Sequence, residues 1–229
     1  MKKPSYIFFD LDDTLLDHKK AEKAALMETK SSFPFLNSIS NEKLTDVYHK
    51  INKSLWHEYN HGRIDKHTLQ SLRFANTLRE LNLPVSVSTE VSEVYMNCYE
   101  KYWEWVEGAS EVFDELASNY QVGILTNGFA ETQAKKFHKF GLDKKVSHYV
   151  VSEEVGYLKP HPFIFDYATK LTGRAKDEIM YVGDSYNSDI EGGSSFGWQT
   201  AWFTKTNSVQ NNPANLVFSD FKRLAEYLL

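Results

Sequence analysis

The stretch FFDLDDTLLD, residues 8–17, places four carboxylates directly after a short apolar run. The four acidic residues are Asp10, Asp12, Asp13 and Asp17. The preceding YIFF is typical of a strand that is buried on both faces. Neighbouring like charges oppose each other's ionisation unless a cation or a shared proton compensates for them. The stretch therefore predicts a buried strand that delivers carboxylates to a ligand site.

Four later apolar runs have the same character, and each ends in polar or Gly-containing residues. They are VGIL (122–125), HYVV (148–151), IMYVG (179–183) and TAWF (200–203). Helical patterns lie between them, for instance Ile164 with Ala168 and Leu171. Strands buried on both faces that alternate with helices predict an α/β fold with a parallel sheet.

The long region between the first two runs has helical periodicity and no convincing strand. Its apolar positions include Leu44, Val47, Tyr48, Ile51 and Leu55, and then Val91, Val94, Tyr95, Cys98 and Tyr102. A crossover of this length exceeds an ordinary βαβ connection. We therefore predict a discontinuous core domain, residues 1–16 and 106–229, with an all-helical domain, residues 17–105, inserted into it.

Composition excludes several classes of protein. The 229 residues are 41% hydrophobic and carry a net charge of -5 without a basic block, so a nucleic-acid polymer is not an expected partner. No apolar run approaches membrane-spanning length, and the start MKKPSYIFF meets Asp10 too soon for a secretory signal. The one cysteine, Cys98, cannot form an internal disulfide and suits a reducing compartment. We expect a cytoplasmic protein. The polar segment 205–215 is a predicted surface loop.

Polar residues follow the predicted strands at the edge where ligands of open parallel sheets bind. Asp10, Asp12 and Thr14 follow the first strand, and Asp184 and Asp189 follow the fourth. The other polar positions are Thr126, Asn127 and Gly128 after the second strand, and Lys159 before the fourth. These groups together suit phosphoryl transfer, which mostly requires positioning and charge stabilisation.

Each predicted role follows from the chemistry of the side chain. Mg²⁺ is commonly held by one or two carboxylates, here Asp10 and Asp12, with a further oxygen from Asp184. Asp10 is then the candidate nucleophile, and Asp12 is the candidate acid that protonates the leaving alkoxide and the base that activates water. Lys159, the Thr126 hydroxyl and the backbone N–H groups of the 126–128 turn would neutralise the phosphoryl oxygens.

Four motifs in order resemble those of the haloacid dehalogenase (HAD) superfamily. They are DLDDT (10–14), ILTNG (124–128), LKPHP (158–162) and VGDSYNSD (182–189). The resemblance implies that Asp10 is the nucleophile, that Asp12 is the acid/base and gives the metal its backbone carbonyl, and that Asp184 is a metal ligand. It also implies a Rossmann-like core with the strand order 5-4-1-2-3 and a helical cap between the first two motifs. Thr126 and Lys159 correspond to the phosphate binders.

Asp189 has two roles under this resemblance, either as an outer metal partner or as an orienting partner of Lys159. The acid at Asp12 favours a phosphatase, because dehalogenases of this superfamily lack it. A phosphomutase shares the acid, and a phosphonatase adds a cap lysine. The stretch LWHEYNHGRIDKHTLQSLRF (55–74), with the TNG of the second motif, resembles the noncanonical pyrimidine nucleotidase branch, which implies a 5'-nucleotidase.

Each motif also has a purely structural interpretation. DLDDT fits a capped turn, and Thr126 with Asn127 fits an Asx turn. Lys159 fits a surface lysine before a proline, and Asp189 fits the cap of the following helix. The occurrence of four motifs at successive strand ends favours the functional interpretation for the set.

A competing motif predicts a zinc metalloprotease. HEYNH (57–61) is a literal H-E-x-x-H, in which His57 and His61, with His67, would bind Zn²⁺ and Glu58 would activate water. The glycine of the extended pattern would fall at 64, where this chain has Ile64. A third alternative is a phosphorylated receiver domain, but its acceptor aspartate follows a later strand.

The sequence as a whole predicts a Mg²⁺-dependent phosphomonoester hydrolase that forms an aspartyl phosphate. Pyrimidine nucleoside monophosphates are the expected substrates, and sugar phosphates for a phosphatase or a mutase are the alternative. We expect the helical cap to close over the site, with hinges at 17–18 and 107–108, and so to exclude macromolecular substrates.

Overall fold

The computed structural model describes residues 2–206 and 211–229. It divides into two compact units. The sheet unit consists of Met1–Asp17 and Trp105–Leu229, and the helical unit is His18–Glu104. The predicted inserted domain, 17–105, contains the helical unit and one more residue at each end; that the units are separate domains stays a prediction. No helix in the described part of the chain has the length and apolar character needed to cross a bilayer.

The sheet unit contains six parallel strands in the order β3-β2-β1-β4-β5-β6. The strands are β1 (Tyr6–Phe9), β2 (Gln121–Thr126), β3 (His148–Val151), β4 (Ile179–Gly183), β5 (Gln199–Phe203) and β6 (Leu216–Phe218). The predicted α/β class and the order of the first five strands are confirmed. The sixth strand was not predicted, because three residues after a polar segment carry too little periodicity. Positions 207–210 of the predicted 205–215 loop lie outside the described residues.

Helices cover both faces of this sheet. They are α5 (Ala109–Asn119), α6 (Ala130–Lys139), the single turn α7 (Ser152–Val155), α8 (Pro162–Thr172), the short α9 (Gly192–Phe196) and α10 (Phe221–Leu228). Alternate side chains of β1 divide between two cores. Ile7 and Phe9 pack with residues of α5, α6 and α10, whereas Tyr6 and Phe8 pack with residues of α8. The burial of both faces explains why β1 is a continuous apolar run.

All elements of the helical unit in the described residues are helices. The α-helices are α1 (His18–Ser32), α2 (Asn41–Asn60), α3 (Lys66–Glu80) and α4 (Ser88–Lys101). Helix α1 packs against α4, and α2 packs against α3. The rings of Tyr48, Phe74 and Tyr95 lie 5.1 to 5.4 Å apart and form the centre of this unit. The predicted helical character of this region is confirmed.

Candidate active site

The site lies at the carboxyl ends of the two central strands. Phe9 pairs with Ile124 of β2 and with Val182 of β4, and the Asp10 N–H donates to the Val182 carbonyl. Strand β1 therefore ends beside β4, and Asp10 and Asp184 leave the sheet at the same edge. Strand order reverses at β1, which is where open α/β sheets bind ligands.

Asp10, Lys159 and Asp189 form a buried ionic cluster. The Lys159 ammonium lies 2.8 Å from Oδ1 of Asp10 and 2.9 Å from Oδ1 of Asp189. Burial raises the pKa of Asp10 from 3.8 to about 7, although the charge of Lys159 opposes that rise. Burial lowers the pKa of Lys159, but the two carboxylates outweigh burial and raise it to about 12. Lys159 therefore remains a cation beside Asp10.

The buried side chain of Tyr181 holds the Lys159 ammonium in place. Its hydroxyl accepts a hydrogen bond from Lys159 Nζ at 2.5 Å and donates one to the Leu125 carbonyl at 2.6 Å. Burial, together with the charges of Asp189 and Asp10, raises the pKa of this phenol well above its usual value. The phenol is therefore a neutral, fixed partner of Lys159.

Three carboxylates lie close enough to hold one cation. A ligand oxygen from each of Asp10, Asp184 and Asp189 lies within 4.8 Å of the others, and among the described residues this is the one such group of acidic, His or Cys side chains. Asp189 returns toward the end of β4 through a π-helical turn, Tyr186–Glu191. A Cβ at Gly183 would overlap the Asp189 carboxylate, so the absence of a side chain there permits this approach.

Asp189 makes further bonds inside its own loop. Its Oδ2 accepts from the Ser185 N–H at 3.0 Å, and its Oδ1 accepts from the Ser188 hydroxyl at 2.9 Å. The carboxylate is thus one of the three that could hold a cation and also contacts Lys159, and both roles implied for it remain predictions.

The loop after β2 connects the remaining predicted residues. Asn127 donates from Nδ2 to the Lys159 carbonyl at 3.0 Å and accepts from the Lys159 N–H at 2.9 Å. The Thr126 side chain is buried, and the Gly128 N–H donates to Ser152. The side chain of Asn127 therefore joins the loop to Lys159, and phosphate binding by residues 126–128 stays a prediction.

Asp12 stands apart from the three carboxylates. Its Oδ1 lies 2.5 Å from the Lys136 ammonium, and its Oδ2 accepts from Gln133 Nε2 at 3.0 Å. Asp13 follows with φ +60°, and the Asp13 N–H donates to the Leu16 carbonyl, which turns the chain back after Asp12. The carboxylate of Asp12 does not belong to the group of three carboxylates that could hold a cation. Metal binding through its backbone carbonyl stays a prediction.

Three residues of the site were not predicted from the sequence: Gln133, Lys136 and Tyr181. All three side chains are almost completely buried. Lys136 precedes the buried Phe137 in a helix rich in lysine, where a lysine is normally exposed, and Tyr181 fits the apolar run of β4. The one available signal was the spacing of Gln133, Lys136 and Phe137, which places two polar residues on an apolar helix face.

The H-E-x-x-H motif does not form a comparable group. His61 is the C-cap of α2, and the next residue, Gly62, has φ +66°. Glu58 pairs with Arg63 at 2.7 Å. The candidate ligands His57, His61 and His67 are absent from the one group of potential metal ligands in residues 2–206 and 211–229. The zinc-protease hypothesis therefore has no site in the described structure.

Comparison with known proteins gives one family. The model of the haloacid dehalogenase-like hydrolases matches residues 5–197, which span all four motifs. Pyrimidine 5'-nucleotidase YjjG from Escherichia coli is 33% identical over 198 residues, which is 86% of this chain and 84% of that protein. Glyceraldehyde 3-phosphate phosphatase from Pyrococcus furiosus is 32% identical over 206 residues, with coverages of 89% and 82%.

A solved structure has the same fold over nearly the whole chain. It is the magnesium-bound putative HAD-hydrolase YfnB from Bacillus subtilis, with a TM-score of 0.82, 25% identity and 99% coverage of each chain. The similarity thus extends through both units described above.

Proposed function

This chain belongs to the haloacid dehalogenase-like hydrolase family, and from that premise we propose that it is a Mg²⁺-dependent phosphatase that cleaves phosphomonoesters through a phosphorylated Asp10. The proposal names pyrimidine nucleoside monophosphates as substrates. The observation that carries it is the position of Asp10, a buried carboxylate at the end of the central strand, 2.8 Å from a buried ammonium. An oxygen in this environment is fixed in place and lies beside a positive charge.

The carboxylates suit a magnesium ion. Asp10, Asp184 and Asp189 offer hard oxygen ligands from adjacent loops, the donor type that Mg²⁺ prefers. Like charges so close together favour a bound cation. When bound, Mg²⁺ would neutralise charge on the carboxylates and on the phosphoryl oxygens.

In the proposed reaction, Asp10 attacks phosphorus. The bond between an Asp10 oxygen and phosphorus forms as the bond from phosphorus to the ester oxygen breaks, and Asp12 gives its proton to that leaving oxygen. Water then attacks the phosphorus of the phosphorylated Asp10 and gives a proton to Asp12. The bond from phosphorus to the Asp10 oxygen breaks, which releases phosphate and the free carboxylate. Asp12 ends the cycle protonated, as it began.

Lys159 and the loop after β2 would stabilise the charge of the transferred group. The ammonium of Lys159 is held by Asp10, Asp189 and Tyr181, so its position needs no reorganisation during the reaction. The Thr126 hydroxyl and the backbone N–H groups of residues 126–128 are the other proposed donors. Preorganised donors are the main contribution that a protein makes to phosphoryl transfer.

Two relatives support a nucleotide substrate. YjjG and the 26% identical PynA from Streptococcus pneumoniae are both named pyrimidine 5'-nucleotidases. The second candidate is a small sugar or triose phosphate, because the Pyrococcus relative is a glyceraldehyde 3-phosphate phosphatase. Both candidates place the same phosphate chemistry at Asp10 and differ in the leaving group.

A substrate panel tests the proposal. Phosphate release from deoxyuridine, uridine and thymidine monophosphates should exceed release from glyceraldehyde 3-phosphate, and EDTA should stop it until Mg²⁺ is added. Asp10→Asn should abolish turnover in a protein that still unfolds cooperatively, with Asp13→Asn as a matched control. Retained turnover in Asp10→Asn, or turnover unaffected by EDTA, would reject the mechanism. Preference for glyceraldehyde 3-phosphate would identify a triose phosphate as the substrate in place of the nucleotide. Recovery of an isomeric phosphate in place of free phosphate would indicate a mutase.

A further inference from the structure

The carboxylate of Asp12 is held at both of its oxygens by one helix. Lys136 contacts Oδ1 at 2.5 Å, and Gln133 donates to Oδ2 at 3.0 Å. Both partners come from α6, whereas Asp12 follows β1. The side chains of Gln133 and Lys136 are 1% and 2% exposed, while that of Asp12 remains 26% exposed. The anchored carboxylate therefore remains partly exposed.

Local structure explains why these two residues reach Asp12. They are three positions apart, so they lie on the same face of α6. The chain enters the helix through Gly128, and a Cβ there would come within 2.9 Å of Gln133 Nε2. The φ of Gly128 is also +152°, a conformation that disfavours any side chain. Glycine at this position thus leaves room for the Gln133 amide.

Gln133 also links Asp12 to the predicted phosphate-binding loop. The same Nε2 lies 2.8 Å from the Thr126 hydroxyl oxygen and 3.3 Å from the Asn127 carbonyl. Its Oε1 is buried and has no hydrogen-bond partner within the described structure. The Gln133 amide is therefore oriented by the acceptors around its nitrogen. Because its Nε2 contacts both Asp12 and Thr126, the Gln133 side chain sets the spacing between these two residues.

We propose that Gln133 and Lys136 are positioning residues that hold the Asp12 carboxylate for proton transfer to the leaving oxygen. This inference rests on the proposed phosphatase function. Each oxygen of a carboxyl group has two lone-pair positions, so one anchoring contact at each oxygen fixes the plane of the group and still allows it to carry the proton that is transferred. A lysine buried to this extent is costly unless it is paired, and its partner here is Asp12. Proton transfer depends steeply on orientation, so loss of either anchor should slow the reaction.

The test compares two esters that differ in their need for an acid. Phenolate leaves p-nitrophenyl phosphate without a proton, whereas the alkoxide of a nucleoside monophosphate needs one. Lys136→Met and Gln133→Met keep the side-chain length. We expect them to lower kcat/KM on the best alkyl phosphate of the panel by about 10- to 100-fold, and on p-nitrophenyl phosphate by less than about threefold. Lys136→Arg should restore most of the loss, because it keeps the cation.

Lys135→Met is the matched control, since Lys135 is an exposed lysine on the same helix that pairs with Glu131. It should leave both esters unaffected. In an Asp12→Asn background, Lys136→Met should cost nothing further on the alkyl phosphate, because the residue it positions is gone.

Equal losses on the two esters, or an undiminished loss in the Asp12→Asn background, would overturn the positioning role. If Lys136→Met does not fold, Gln133→Met decides by the same comparison. A wild-type protein that hydrolyses neither ester would instead refute the proposed function, and the inference with it.

Discussion

Replacing Lys159 by methionine tests how the buried ionic cluster is balanced. Methionine keeps the apolar stem but removes the charge, so Asp10 and Asp189 would face each other with side chains 10% and 0% exposed and without their cation. Removal of one partner from a buried ion pair costs about 3 to 5 kcal/mol. We expect a loss of that size in the free energy of unfolding at pH 8 with EDTA present.

The loss should shrink at acid pH. The pKa of Asp10 is raised in the folded protein to about 7 while Lys159 lowers it, so removal of Lys159 raises it further. A carboxyl with a raised folded pKa favours the folded state when protonated, and that contribution disappears as pH rises through the folded pKa. At pH 5.5 the variant can protonate Asp10 and relieve the repulsion, so its deficit relative to wild type should be smaller than at pH 8.

Urea unfolding followed by circular dichroism measures both effects. Lys170→Met is the control, because Lys170 is 75% exposed and pairs with Asp166 on the surface of α8; its loss should stay below about 1 kcal/mol. A loss below about 1 kcal/mol for Lys159→Met at pH 8 would refute the reasoning. An equal loss at the two pH values would refute the assignment of the repulsion to Asp10.

Three further predictions concern the same residues. Tyr181→Phe removes buried hydrogen bonds to Lys159 and to the Leu125 carbonyl, and should lower the free energy of unfolding by about 2 kcal/mol in urea; an unchanged midpoint would contradict this. Asp184→Asn should weaken Mg²⁺ binding at least about tenfold in a thermal-shift titration, and equal affinity would exclude Asp184 as a ligand. Because Mg²⁺ needs an ionised Asp10 and burial raises the pKa of that residue to about 7, Mg²⁺ should bind about tenfold more tightly at pH 8 than at pH 6. An affinity for Mg²⁺ that does not change with pH would count against a raised pKa of Asp10.

Much of the sheet could be predicted because each of its first five strands is a short apolar run followed by polar residues. The run before Asp10 predicts β1 correctly to its ends, and the run before Asp184 predicts β4. The parallel arrangement then brings both aspartates to one edge of the sheet. Strand β6 gave no such signal, because only the side chains of Leu216 and Phe218 are buried there.

The buried residues that support the site, such as Lys136 and Tyr181, could not be predicted in the same way. Whether a lysine is buried depends on a partner distant in the chain, and Lys136 meets Asp12 only because α6 packs under the loop after β1. Tyr181 has the same limitation, because its hydroxyl acquires a role only through Lys159. The histidine motif illustrates the opposite error: the spacing of His57 and His61 is that of a ligand pair, but α2 ends at Asn60.

The most direct test of the account is to trap the phosphorylated enzyme. Wild-type protein with Mg²⁺ and p-nitrophenyl phosphate should be quenched in acid within one turnover, digested and analysed by mass spectrometry. The account predicts one phosphoryl group on the peptide that contains Asp10. Borohydride should convert the phosphorylated aspartate to homoserine, and the phosphoryl group should be absent in Asp10→Asn. Hydrolysis that proceeds with no phosphorylated peptide, or with the phosphoryl group on another residue, would contradict it.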